Sequence, residues 1–201
     1  LSDGISTPLA PRLSFPELGE EGSAFMFSDA AREDGTGYGA FSFVETASGE
    51  LIFPFIDQRW PLDIIELLQL NKLSMPAGEG LGVVIFADAL IDGLPGLTHL
   101  TIFTDSTPVQ EAIQSSSSGS PQLNFIVNWL FQRHPDVQFM AIHQPGVRNS
   151  AADGLSRSAS QTVLSDAIAA GANPLRLPLH EHATDLMRAA ALMPQRARPV
   201  P

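Results

Sequence analysis

Three short apolar runs crowd into residues 23–56, and the turns between them are too short to hold a helix. Ala24-Phe25-Met26-Phe27 closes at Ser28-Asp29, and Gly35, Gly37 and Gly39 surround Tyr38 before a second run at 40–44. Ala47-Ser48-Gly49-Glu50 predicts a hairpin turn into a third run at 51–56. Consecutive strands joined this tightly pair antiparallel, because a parallel pair needs a long crossover. Pro54 has no N–H to give a ladder, which confines the third strand to a sheet edge or places proline at its end.

After Trp60-Pro61 the pattern changes. Residues 63–73 predict a helical stretch, and Met75-Pro76 opens a second helix over 77–91, since proline suits a first helical turn. Apolar Leu81, Val84, Ile85, Ala87, Ala89 and Leu90 make that helix largely buried, and Gly78, Gly80 and Gly82 each cost it up to about 1 kcal/mol relative to alanine. Residues 97–104 form a near-continuous apolar run of the kind buried on both faces of a parallel sheet. A helix over 108–114, a serine-rich break at 115–120, an amphipathic helix over 122–133, a strand over 137–142 and a helix over 149–158 follow. The order is βββαβαβα, and crossover connections set the fourth and fifth strands parallel to the first. Residues 1–22, with Pro8, Pro11 and Pro16, predict a linker, and 23–159 the folded domain. Beyond 160 two alanine-rich helical stretches, separated by Pro174 and Pro178, lead to a Pro/Arg-rich tail that ends at 201.

The chain has 201 residues, 44% of them apolar, enough for one ordinary domain with a real core. No apolar stretch reaches the roughly 18 residues that a membrane span needs, and no basic-then-apolar leader opens the chain. The expected setting is therefore intracellular, cytoplasm or nucleus, without a membrane partner. Absence of cysteine excludes disulfides, thiol nucleophiles and zinc–cysteine sites. A start at Leu1 rather than methionine is expected of a piece of a longer polyprotein. Against 22 acidic residues stand 11 basic ones, and Lys72 is the single lysine. A net charge of −11 opposes tight autonomous binding of a polyanion, which draws affinity from phosphate neutralisation.

Four acids stand out by position. Asp29 and Asp105 end two strand-like runs that the topology makes parallel neighbours, and ligands gather at such carboxyl ends. Glu79 and Asp153 lie on predicted helices. Four carboxylates drawn together repel one another unless divalent cations supply the missing positive charge. Hard oxygen donors suit Mg²⁺, with Mn²⁺ as a substitute. Two ions roughly 3.5–4 Å apart support phosphodiester hydrolysis. Asp29 would bridge both, with Glu79 reaching in from the crossing helix, Asp105 from the neighbouring strand and Asp153 from the final helix.

Phe27-Ser28-Asp29-Ala30-Ala31, then Gly35-Thr36-Gly37-Tyr38-Gly39-Ala40, then Thr104-Asp105-Ser106 occur in that order. They are followed by His143-Gln144-Pro145-Gly146-Val147-Arg148-Asn149-Ser150-Ala151-Ala152-Asp153-Gly154-Leu155-Ser156-Arg157. Together these stretches resemble the ribonuclease H-like domain of retrotransposon reverse transcriptases, and the last is the most specific. The resemblance spans roughly 23–158. It implies an α/β ribonuclease H-like fold: a five-stranded mixed sheet, three antiparallel strands then two parallel, flanked by helices. It also implies two Mg²⁺ ions on Asp29, Glu79, Asp105 and Asp153, and cleavage of the RNA strand of an RNA–DNA hybrid by an Mg-dependent endoribonuclease. Ser106, Arg148, Asn149 and Arg157, beside those carboxylates in the chain, are candidate substrate contacts.

The chain departs from the family pattern in four ways. Glycines flank Glu79, Gly154 stands where alanine is usual, and Ser115-Ser116-Ser117-Ser118 replaces a basic substrate-gripping helix. The histidine-bearing product-release loop of the cellular enzymes has no counterpart. Weak isolated activity, or a grip supplied by an adjacent polymerase domain of the same polyprotein, follows. Two other readings remain: a catalytically inactive ribonuclease H-like structural or protein-interaction module, and a two-metal nuclease or strand transferase acting on DNA. Asn149 is expected to cap the last helix, His143 to be a hydrogen-bonded strand residue, Trp60 and Trp129 to be core, and His180-Glu181-His182 to be solvated chain.

Overall fold

The protein is described by a computed structural model covering residues 22–31, 37–46, 48–157 and 159–194. The expected linker lies, but for Gly22, outside the described residues, as does the Pro/Arg-rich end from 195.

The three opening runs form β1 (Ser23–Ala30), β2 (Gly37–Glu45) and β3 (Leu51–Arg59), an antiparallel meander. Helices α1 (Leu62–Gln69) and α2 (Met75–Gly93) follow, then β4 (His99–Thr104), α3 (Thr107–Ser115), α4 (Pro121–Arg133) and β5 (Gln138–His143). A short 3₁₀ turn at Gly146–Arg148 leads into α5 (Ser150–Ser156), α6 (Ser160–Ala169), β6 (Asn173–Arg176) and α7 (His182–Leu192). The sheet order is β5-β4-β1-β2-β3-β6, with β4 parallel to β1 and β5 parallel to β4. This is the mixed α/β sheet expected for a ribonuclease H-like fold, with one correction: it has six strands where five were expected.

The sixth strand was hidden by its own composition. Asn-Pro-Leu-Arg has none of the β-branched or aromatic residues that mark strands, and proline is depleted there. It is nonetheless held by parallel pairing of Ile52 with Asn173 through Phe55 with Arg176. Pro54 therefore lies inside the sheet, and the edge predicted for its strand is β6 instead. The ladder between β2 and β3 runs from Gly37–Arg59 to Phe41–Phe55 and resumes at Val44–Ile52. It skips the positions opposite Phe53 and Pro54, where proline has no N–H to donate.

Helix α2 is the axis of the core. From Ala77 to Leu90 it is buried almost without interruption and apolar but for Glu79 and Asp88, as expected of a helix enclosed by its neighbours. The Ser74 hydroxyl accepts from the Ala77 N–H to cap it, and Pro76 occupies its first turn. Gly82 faces β2, where a Cβ would stand 3.1 Å from Tyr38 Cβ, so glycine lets the helix approach the strand. The helix lies on the Ala24/Met26/Ser28 face of β1, and those side chains are buried.

The opposite face of the sheet is more open. Phe27 stacks between Phe41 and Phe103 at 4.8 and 4.7 Å, while Phe25 is 54% exposed. Strand β4 alternates buried and half-buried positions, a correction to the fully enclosed strand expected at 97–104. Its apolar run was read without allowing for Thr101 and Phe103 on the open side. Trp60 is core, its indole N–H donating to the Ala31 carbonyl at 2.7 Å, whereas Trp129 is half-buried. The 115–120 break is ordered by hydrogen bonds, among them Asn124 Nδ2 to the Ser118 carbonyl.

Truncating Phe86, which has no exposed surface, tests how completely α2 is enclosed. Phe86→Ala is expected to lower stability by about 3–5 kcal/mol in chemical denaturation. A loss under about 1 kcal/mol would contradict that enclosure.

Candidate active site

Strands β1 and β4 are parallel and in register from Ser23–His99 to Phe27–Phe103. Asp29 and Asp105 lie just beyond that register, two residues after Phe27 and Phe103, so the topology alone sets them side by side. Both point to the same side of the sheet as those phenylalanines, by the two-residue alternation of a strand. Glu79 sits in the second turn of α2, which crosses the sheet beside β1. Asp153 sits in the first turn of α5, which packs on β1 and β2.

The structure brings these four carboxylates together. The Asp29 carboxyl is pushed up mainly by burial, and the nearby Asp105 and Asp153 charges push it further. Ser156 and Arg157 act in the opposite direction. Glu79 is pushed up from 4.5 to about 7, mainly by burial, opposed by Ser106 and reinforced by Asp105 and Asp29. Each of these shifts records first the loss of water around a buried carboxylate and only then the neighbouring negative charges.

Ser156 was missed by sequence reasoning. Its hydroxyl donates to Asp29 Oδ2 at 2.7 Å, fixing the orientation of that carboxylate. The signal was its place three residues after Asp153, which puts both on one face of α5. Close approach of α5 to β2 allows it: a Cβ on Gly39 would lie 2.4 Å from the Ser156 backbone nitrogen, so only glycine fits.

The four candidate substrate contacts have different surroundings. Ser106 is buried and faces Glu79, yet its hydroxyl has no partner within hydrogen-bonding distance. Asn149 does not cap α5 through its side chain, which corrects the expectation: its Nδ2 donates to the Ser28 carbonyl at 2.8 Å, joining the last helix to β1. Its Oδ1 is buried and unpartnered. Arg148 is exposed on the 3₁₀ turn, and Arg157 pairs with Asp153. His143 is the hydrogen-bonded strand residue expected, its Nε2 donating to the Asp105 carbonyl at 3.1 Å. A Cβ at Gly146 would stand 3.1 Å from Asp105 Oδ2, so the turn after β5 closes over that carboxylate.

All four carboxylates are hard oxygen donors of the kind a divalent cation takes, although among the described residues the group whose ligand atoms lie within 4.8 Å of one another is Asp88, Asp92 and His134 instead.

A second acidic group, Asp88 and Asp92 with His134, is separate from this site. Asp88 is nine residues beyond Glu79 on α2, about 13 Å along the helix axis. The expectation that His180-Glu181-His182 is solvated chain is corrected here, since His182 bonds to Asp88 at 2.8 Å.

No protein-family model and no curated protein matches the chain. Among solved structures, it is similar to ribonuclease H1 from the halophilic archaeon Halobacterium salinarum NRC-1. The identity is 14% and the TM-score 0.47, over 72% of this chain and 98% of that one. It is also similar to the N-terminal RNase H domain of rv2228c from Mycobacterium tuberculosis, solved as a fusion with maltose-binding protein. There the identity is 18% and the TM-score 0.44, over 72% of this chain and 98% of that one. Both scores lie below 0.5, so the fold assignment rests on the strand order itself.

The crowding has a pH signature in metal-free buffer. Because Glu79 holds its proton more tightly folded than unfolded, its contribution to stability is fully present below about pH 4.5 and is lost as pH rises through about 7. Wild type is expected to lose stability relative to Glu79→Gln across that window, in denaturation curves with chelator present. A difference independent of pH would contradict the burial and crowding of this carboxylate.

Proposed function

We propose that this chain is an Mg²⁺-dependent endoribonuclease that cleaves the RNA strand of RNA–DNA hybrids, the ribonuclease H activity of a retroelement reverse transcriptase. The observation that carries the reading is the convergence of Asp29, Glu79, Asp105 and Asp153 from four separate elements, close enough for their charges to act on Asp29 and Glu79. Those four carboxylates would hold two Mg²⁺ ions, or Mn²⁺ in their place. When bound, the ions lower the pKa of a water and stabilise the leaving oxygen.

The remaining roles belong to the chain. Ser156 orients the Asp29 carboxylate through its hydroxyl. His143 steadies the backbone at Asp105, and Asn149 ties the start of α5 to β1 so that Asp153 keeps its distance from Asp29. Arg148, exposed on the 3₁₀ turn, and Arg157, once drawn from Asp153, would meet phosphate in this reading. The 143–157 motif supports descent from a retroelement, in which an adjacent polymerase domain of the polyprotein supplies most of the hybrid grip. Such an enzyme acts inside the cell, where reverse transcription runs.

A second reading, an inactive ribonuclease H-like interaction module, draws on a net charge of −11 and on exposed Phe25, Phe43 and Met140. Incubation with a labelled hybrid and Mg²⁺ or Mn²⁺ separates the two. The proposed enzyme cuts the RNA strand of the hybrid and spares duplex DNA, and Asp105→Asn abolishes the cleavage. Ser156→Ala lowers it by roughly 10–100-fold, the usual cost of losing a group that orients a metal ligand. No cleavage at high protein concentration, with Asp105→Asn indistinguishable from wild type, would reject the enzyme and leave the module.

A further inference from the structure

On the open face of the sheet, Phe41, Phe43 and Phe53 form one wall of a cavity of about 470 Å³, and α5 and α6 form the other. Phe41 and Phe53 are buried and stacked at 5.1 Å. Phe43, 42% exposed, stands edge-on to them at 5.7 and 5.1 Å. The helical wall is made of small residues, among them Ala151 and Gly154 of α5 and Ala167 of α6. A Cβ at Gly154 would lie 2.9 Å from Val163 Cγ2, so the departure from alanine at this position lets α6 close on α5.

The cavity is separate from the carboxylate site. Ser150 and Ala151 lie four and three residues before Gly154, on one face of α5, whereas Asp153 and Ser156, three apart, occupy another. Helix α6 begins at Ser160, beyond the 23–158 stretch that carries the ribonuclease H-like resemblance, so this wall belongs to the chain's own extension.

Size and chemistry together bound what can enter. The volume falls within the roughly 300–1,000 Å³ of small-molecule sites, whose walls are mostly apolar with a few polar groups to fix orientation. The polar groups here are the hydroxyls of Ser150 and Thr162 and the carboxylate of Asp166. Asp166 is the charged side chain of this lining, and among the described residues none forms an ion pair with it. Phenyl faces carry negative potential and attract cations, so the aromatic wall and the carboxylate select the same sign of ligand. The net charge of −11 adds a field of the same sense. An anion would meet Asp166 with no cation to offset it, and a neutral hydrocarbon would gain nothing from it. A second copy of this chain, itself at −11, would bring repulsion instead.

We propose that this cavity binds a small organic cation, an amine carried on an apolar body, with the body against Phe41, Phe43 and Phe53 and the ammonium group at Asp166. The site places no demand on the nuclease reading and stands or falls without it.

Phenethylamine, hydrocinnamate and ethylbenzene carry one phenyl body with positive, negative and no charge, and serve as probes. Each is titrated into the isotopically labelled full chain at neutral pH and constant ionic strength, with backbone amide shifts as the readout. Phenethylamine is expected to saturate, with shifts centred on Phe43, Gly154 and Ala167, and to bind more tightly than hydrocinnamate. Asp166→Asn, at an exposed position, is expected to weaken the amine by about two- to fivefold, the worth of an exposed ion pair, and to leave ethylbenzene unmoved. Phe43→Leu keeps an apolar side chain but removes a ring, and is expected to lower the preference for amine over ethylbenzene by a similar factor. Absence of saturable amine binding, shifts centred elsewhere, hydrocinnamate bound as tightly as the amine, or amine affinity unmoved by Asp166→Asn overturns the proposal.

Discussion

The structure turns on the parallel, in-register pairing of β1 and β4, which sets Asp29 and Asp105 side by side. Because the two strands run in register, Asp29 and Asp105 cannot be separated without breaking the sheet. Helices α2 and α5 then bring Glu79 and Asp153 to the same place, and burial makes the accumulated charge harder to bear. The chain offsets this only in part, through the Ser156 hydroxyl and Arg157.

Much of that was legible beforehand, for identifiable reasons. The meander was readable because its turns are too short for crossovers, and the Asp29–Asp105 pairing followed from handedness and strand order. Glu79 was readable through the apolar helix that carries it, despite the glycines that spoil its propensity. One of them, Gly82, serves the close approach of α2 to Tyr38, a requirement of packing that a residue scale cannot see. Strand β6 was illegible because a four-residue run containing proline is a strand only by pairing with β3. Asn149 misled because capping preference is a local rule, while its side chain answers a distant demand from the Ser28 carbonyl. The link between His182 and Asp88 spans 94 positions, and no short-range pattern encodes it.

Net charge shapes how such a site meets a polyanion. With 22 acids against 11 basic residues, long-range steering disfavours approach of nucleic acid. The serine-rich bend between α3 and α4 carries no basic residue to offset this.

The most direct test of the central claim is to locate a cation. Crystals of this chain soaked in Mn²⁺, with diffraction collected at the manganese absorption edge, would reveal the ion by its anomalous signal. The account predicts density within ligand distance of Asp29 and Asp105, roughly 2.0–2.2 Å from carboxylate oxygens, with Glu79 and Asp153 facing it. Well-ordered carboxylates with no anomalous peak between them at saturating Mn²⁺ would contradict it.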